Sequence, residues 1–158
     1  MEKISSFRVD HDRLLPGLYV SRRDGDVVTY DIRTRKPNGG SYMTNPVMHT
    51  VEHLFATCAR NGSFGHEVIY FGPMGCRTGF YFLVRDAVSA QEVISLVTGA
   101  FRFIASFEGE IPGAKRKECG NWMEHDLPGA REEAGRMLDV LKDWTPERLS
   151  YAENGAEG

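Results

Sequence analysis

The stretch from Asn45 to Arg60 constrains this chain more than any other. Its apolar residues Val47, Val51, Leu54, Phe55 and Cys58 recur at the spacing of one face of an amphipathic helix. Asn45 reads as the N-cap, with Pro46 in the first helical position, and Asn61-Gly62 reads as the stop. Opposite the apolar stripe stand His49 and His53. Four residues apart, they lie one turn above each other, with Glu52 on the same side. The imidazoles therefore face a second surface rather than the core beneath the helix. Ala56, one turn on, leaves room for another segment to pack close.

The rest of the chain supplies partners for that helix. Leu18-Tyr19-Val20 and the alternating run Val27–Arg33 flank Asp24-Gly25, a hairpin signal. Within the second run Val28, Tyr30 and Ile32 share one face, and Thr29, Asp31 and Arg33 the other. Val68–Phe71 and Phe80–Val84 are aromatic and β-branched, as strands are, on either side of Gly72–Cys76. Ser89–Glu92 is a capping box that starts a helix to about Phe107. A loop carries Cys119. Pro128 starts a last long helix anchored by Met137, Leu138 and Leu141, and Thr145-Pro146 starts one more short turn. Strands first, then mixed strands and helices, predict an α+β fold with an antiparallel sheet packed against helices. The 158 residues fit a single compact domain over 1–158, with 152–158 expected as a frayed tail.

Composition narrows the function classes. A net charge of −3 argues against a nucleic-acid partner, which usually calls for a basic excess. No apolar run approaches membrane-spanning length, and Met1–Ser6 has no apolar signal core. Three sparse cysteines, Cys58, Cys76 and Cys119, read as free thiols, so a reducing cytoplasm is expected.

His49-Thr50-Val51-Glu52-His53 is an H-x-x-E-H pattern, and two imidazoles at i and i+4 can reach one ion. The alternative is a pair of solvent-exposed helix histidines. In inverzincin metallopeptidases the same pattern binds metal and the glutamate is the general base. A catalytic metal needs a third protein ligand and an open position. Cys119, on the polar loop Lys117–Asn121 and followed by Gly120, is the leading candidate for that third ligand; His125 and His66 compete for the place. Cys76 sits in a tight turn at a strand end beside Arg77, and a nearby cation favours a thiolate. Alternatively it is a small apolar filler.

Taken together, H-T-V-E-H-L-F at 49–55, P-M-G-C-R-T-G-F-Y at 73–81 and E-C-G-N at 118–121 resemble the S-ribosylhomocysteine lyase (LuxS) family. Ser6-Phe7-Arg8-Val9-Asp10-His11 and Tyr30-Asp31-Ile32-Arg33 with Pro37-Asn38 resemble it too. The resemblance runs from Ser6 to the last long helix. It implies an α+β homodimer with its active sites at the subunit interface. The implied reaction cleaves S-ribosylhomocysteine to homocysteine and 4,5-dihydroxy-2,3-pentanedione, the precursor of autoinducer-2. The implied cofactor is one divalent metal per subunit, natively Fe(II), replaceable by Zn(II) or Co(II). Carried over by motif, His49, His53 and Cys119 are the ligands, Cys76 and Glu52 move protons, and Ser6, His11 and Arg33 shape the substrate site.

One departure stands out. Before P-M-G-C the family more often has Asp-Ile-Ser, whose aspartate is expected to hold the substrate amino group. Here the chain reads Tyr70-Phe71-Gly72, and Tyr70 supplies no carboxylate. Asp10, Asp12 and Glu67 are the candidates to compensate. Two other classes stay open on residues alone. A metallopeptidase or amidase would use Glu52 and give Cys76 no role. A metal-stabilised structural domain would have a closed four-ligand site.

Overall fold

Asp24 pairs with Val27, so the first two strands turn over in just two residues, Gly25 and Asp26. Gly25 has φ +60°, the left-handed conformation that such a turn demands and glycine adopts without penalty. The computed structural model describes residues 1–157. Its strands are β1 (Gly17–Asp24), β2 (Val27–Arg33), β3 (Val68–Pro73) and β4 (Gly79–Arg85), and its helices α1 (Asn45–Asn61), α2 (Ala90–Ala105) and α3 (Leu127–Val140). The sheet order is β1-β2-β4-β3, antiparallel throughout. This is the expected α+β fold. No helix among the described residues is long and apolar enough to cross a membrane.

Register decides which side chains meet. Val28, Tyr30 and Ile32 of β2 lie opposite Val84, Phe82 and Phe80 of β4, giving one continuous apolar face. α1 drives Phe55 into it. The Phe55 ring stacks on Phe71 with centroids 3.9 Å apart, and meets Phe82 and Phe101 edge-on. These rings are 4% exposed or less, and together with α2 and α3 they form the core. Thr29, Asp31 and Arg33, on the other face of β2, are buried as well. The chain termini help to cover them: the Tyr151 hydroxyl donates to Asp31 at 2.7 Å. Alternation along β2 thus separates apolar from polar without separating buried from exposed.

Four local expectations shift. The α1 cap is Thr44, not Asn45: its hydroxyl accepts the Val47 N–H at 3.4 Å, and Asn45 is the first helical residue. Two adjacent residues can each cap, and the extended backbone at Thr44 settles the choice. α2 keeps its capping box, with Ser89 and Glu92 satisfying each other's backbone, but ends at Ala105. α3 begins at Leu127 behind an Asp126 cap; Met137 and Leu141 are buried and Leu138 is half-buried. The segment from 152 onward is not a loose tail through Glu157. It forms a short turn at Ala152–Asn154, Ala156 is fully buried, and Glu157 bridges to Val9. Gly158 lies outside the described residues.

Candidate active site

On α1, His49 and His53 project from one face with ring centroids 4.6 Å apart. The surface they meet is the loop between α2 and α3. His49 Nδ1 donates to the Glu124 carbonyl and His53 Nδ1 to the Pro112 carbonyl, both at 2.8 Å. A carbonyl only accepts, so each Nδ1 carries the proton and each Nε2 keeps its lone pair. Close approach of the loop requires Gly113. It has φ +76°, and a Cβ there would lie 3.0 Å from His53 Nδ1.

Cys119 comes to this face, its sulfur 3.3 Å from His49 Nε2. His125 comes too, stacked on His49 with centroids 4.2 Å apart. The ligand atoms of His49, His53, Cys119 and His125 all lie within 4.8 Å of one another. The two residues that competed for the third place therefore part company. His125 is in the cluster, whereas His66 sits exposed on the Gly65–Glu67 turn and is not. Three imidazoles and a thiolate suit a divalent first-row metal. One further observation fits: His125 Nε2 is buried with no hydrogen-bond partner. Burial, then the neighbouring His49 and His53, push the His125 imidazole down to about 4. Glu52 is half-buried on the same turn.

Cys76 belongs to a second group. It lines a cavity of about 620 Å³ together with Ser6, His11, Arg33, Thr78 and Tyr81. The structure thus gathers Cys76 and the three expected substrate residues. None of His49, His53, Cys119, His125 or Glu52 lines that cavity. Within one chain the thiol pocket and the His/Cys cluster are two separate groups.

The cation that faces Cys76 is Arg33 rather than Arg77. Arg77 has φ +62°, and its guanidinium turns away over the Tyr42 ring and toward the Met43 carbonyl. Arg33 Nη1 is 4.0 Å from the Cys76 sulfur and donates to the Thr78 hydroxyl at 2.8 Å, which itself lies 3.1 Å from that sulfur. Asp31 holds the Arg33 guanidinium from behind through two bonds, at 3.1 and 2.7 Å. Burial works against the Arg33 cation; Asp31 outweighs it, Cys76 adds to the attraction, and the net direction is upward. Tyr151 is pushed up as well, by burial and then by Asp31, so it stays a donor to that carboxylate. His11 Nδ1 is anchored to the Val9 carbonyl at 2.8 Å.

Sequence reasoning missed Asp31, Thr78, Thr50 and Tyr151 as supports. An acidic residue two places before Arg33 on an alternating strand was the only signal for Asp31. The others meet their partners across long stretches of chain. The Tyr70 departure is tied to a second one. A Cβ at Gly72 would lie 2.0 Å from the Tyr70 hydroxyl, so the ring occupies space that a serine at 72 would need. Tyr70, with Ser6 and Tyr81, lines a cavity adjoining the thiol pocket.

Comparison with known proteins gives the family. A family model described as S-Ribosylhomocysteinase (LuxS) matches residues 4–148. The chain is 46% identical over 157 residues to the S-ribosylhomocysteine lyase of Clostridium beijerinckii, covering 96% of this chain and 99% of that protein. It is 45% identical to that of Phocaeicola vulgatus, with 96% and 98% covered. Against that of Borreliella burgdorferi it is 44% identical, with 96% and 99% covered. A model matched over most of the chain, and relatives matched over nearly their whole lengths, leave one conclusion: the chain belongs to the S-ribosylhomocysteinase (LuxS) family.

Proposed function

We propose that this protein is a metal-dependent lyase that cleaves the thioether of S-ribosylhomocysteine to homocysteine and 4,5-dihydroxy-2,3-pentanedione, the precursor of autoinducer-2. The carrying observation is the pair of half-sites, a His/Cys metal cluster and a thiol held beside a buried arginine, in a chain whose relatives bear that name.

The chemistry needs both halves. The carbon–sulfur bond does not break directly. The sugar carbonyl must first move from C1 to C3, so that loss of the C4 proton can expel the thiolate by β-elimination. His49, His53 and Cys119 would hold the divalent metal, which when bound supplies Lewis-acid stabilisation of the enediolate charge. Cys76 takes and returns protons between adjacent carbons in the first shifts, with Arg33 offsetting its negative charge. Glu52 serves the later shift and the elimination, returning a proton to the leaving sulfur. Ser6 and His11, on the wall of the Cys76 cavity, orient the substrate. Fe(II) is the native ion in this reading, with Zn(II) and Co(II) as replacements. Three free cysteines agree with a reducing cytoplasm.

Since one chain separates the halves, a second copy brings them together in a homodimer with two interface sites. Exposed apolar residues flank each half: Ile4 and Phe7 beside the thiol pocket, Trp122 and Met123 beside Cys119.

The test is thiol release from S-ribosylhomocysteine. Cys76→Ala should abolish release while metal content stays stoichiometric; peptide cleavage that survives Cys76→Ala would point instead to a metallopeptidase. Subunit mixing checks the shared site. Randomly mixed Cys76→Ala and Cys119→Ala chains form half heterodimers, each with one intact site, so roughly a quarter of wild-type activity returns. No recovery would mean that each chain works alone.

A further inference from the structure

We infer that Tyr151, on the C-terminal turn, is a positioning residue for the reaction: it holds the Asp31–Arg33 pair that faces Cys76, and the turn that carries it also fixes the Ser6/His11 wall of the same pocket. The inference rests on the lyase reading above, in which Cys76 moves protons beside Arg33.

Asp31 divides its carboxylate between Arg33 and Tyr151. Arg33 donates through Nε to Oδ1 at 3.1 Å and through Nη2 to Oδ2 at 2.7 Å, which leaves Nη1 for the Thr78 hydroxyl and the Cys76 sulfur. Oδ2 also accepts the Tyr151 hydroxyl at 2.7 Å. That bond takes up part of the carboxylate charge that would otherwise fall on Arg33 alone. Without it, the buried Asp31 would keep an open lone pair and offset more of the Arg33 charge, so less of that charge would reach the sulfur. The Tyr151 ring is held in place by stacking on Tyr19, with centroids 5.0 Å apart and planes 23° from parallel.

The backbone of Tyr151 starts a second link. Its carbonyl accepts the N–H groups of Asn154 and Ala156, at 3.1 and 3.0 Å, closing a turn in which Gly155 has φ +71°. The turn presents the Ala156 carbonyl to the Asp10 N–H at 2.9 Å, and Glu157 bridges to Val9. The Val9 carbonyl in turn accepts His11 Nδ1 at 2.8 Å. One short turn thus ties the counter-ion of Arg33 to the backbone between Ser6 and His11. Arg33, Ser6 and His11 line the cavity that holds Cys76, and Tyr151 does not. Tyr151 acts through them.

The test uses the full-length Tyr151→Phe protein, which keeps the ring and its stack and loses only the hydroxyl. Arg33 from β2, Tyr81 from β4, His11 from the N-terminal segment and Tyr42 from the segment before α1 are the titratable groups that line the pocket with Cys76; Asp31 stands behind Arg33. Alkylation of Cys76 by iodoacetamide at pH 7, read on its own peptide by mass spectrometry, should slow about two- to threefold, less than the loss expected when the Arg33 charge itself is removed. At about pH 10, where an ordinary thiol is already ionised, Tyr151→Phe and wild type should react alike. In the Asp31→Asn/Arg33→Met background, Tyr151→Phe should slow alkylation no further. For S-ribosylhomocysteine, Tyr151→Phe should lower kcat about two- to threefold with KM held. Gly155→Val strains the turn and leaves the Tyr151 hydroxyl in place; it should raise KM about three- to tenfold with Cys76 alkylation unchanged. An unchanged rate at pH 7, equal slowing at both pH values, or slowing that persists in the double variant would overturn the hold of Tyr151 on Cys76. An unchanged KM in Gly155→Val would overturn the link to the Ser6/His11 wall. The expected alkylation pattern in a wild-type protein that releases no thiol from S-ribosylhomocysteine would uphold the positioning of Cys76 and sink the lyase reading instead.

Discussion

Arg33 Nη1 lies 4.0 Å from the sulfur of Cys76, across 43 residues of sequence. The contact is held from two sides. Asp31 grips the guanidinium through two bonds, and Thr78 bridges it to the sulfur. A cation this firmly placed tells more about the pocket than the thiol alone, because Arg33 and Asp31 are 3% and 1% exposed. A buried ion pair is expensive to break, and this one stands directly behind the Cys76 thiol.

Breaking the pair from one side leaves a buried charge unmatched. Asp31→Asn, or Arg33→Met, should each cost about 3–5 kcal/mol in denaturant unfolding. The double variant Asp31→Asn/Arg33→Met removes both charges and should recover part of that loss. Simple additivity of the two losses would show that the residues do not act as a pair.

The same double variant isolates the effect on Cys76, whose cation is then gone from a folded protein. Alkylation of Cys76 by iodoacetamide should slow about fivefold, the scale of attraction between unit charges 4 Å apart near water. Thiol release should fall by at least as much. An unchanged alkylation rate would deny Arg33 any hold on the sulfur.

Glu133 on α3 is 1% exposed and paired through two bonds with Arg35, while Arg136 donates to it as well. Burial alone would raise its pKa; the hydrogen bonds and charges of Arg35 and Arg136 more than reverse this, so its folded value is lowered. A lowered folded pKa means that the unfolded chain takes up this proton first as pH falls. The stabilisation is present above the unfolded carboxylate value, about 4.3, and is lost as pH falls through the folded one. Glu133→Gln should lower stability at pH 7 and flatten the decline below about pH 5. A variant whose stability keeps the wild-type slope there would contradict this.

Gly113 sets the clearance between loop and metal cluster. Gly113→Ala places a methyl 3.0 Å from His53 Nδ1 in a left-handed backbone conformation, at about 1–2 kcal/mol of strain. The bond from His53 to the Pro112 carbonyl should loosen, and metal affinity should fall about 10- to 100-fold by chelator competition. Affinity equal to wild type would mean that the loop does not orient His53.

The sequence by itself determined whatever is local. His49 and His53 share a face because four residues make about one helical turn, whatever surrounds the helix. The Asp24-Gly25 turn and the Ser89/Glu92 box are decided within four residues, and both formed. Cys119 became a candidate ligand through its place on a polar loop before Gly120, its E-C-G-N motif added to that, and the loop brings it to His49. Only the tertiary structure decided which distant partners these groups meet. Arg77 is next to Cys76 in sequence, yet its left-handed backbone sends the guanidinium to Tyr42, while Arg33 arrives from another strand through the β2–β4 pairing. His125 joins the cluster because Thr50 on α1 and the Asp126 cap of α3 clamp it there. The tail is held because Ala156 finds a buried place and Glu157 a bridge to Val9. In each case the deciding contact closes a long loop of chain, and short-range spacing carries no record of where such loops close.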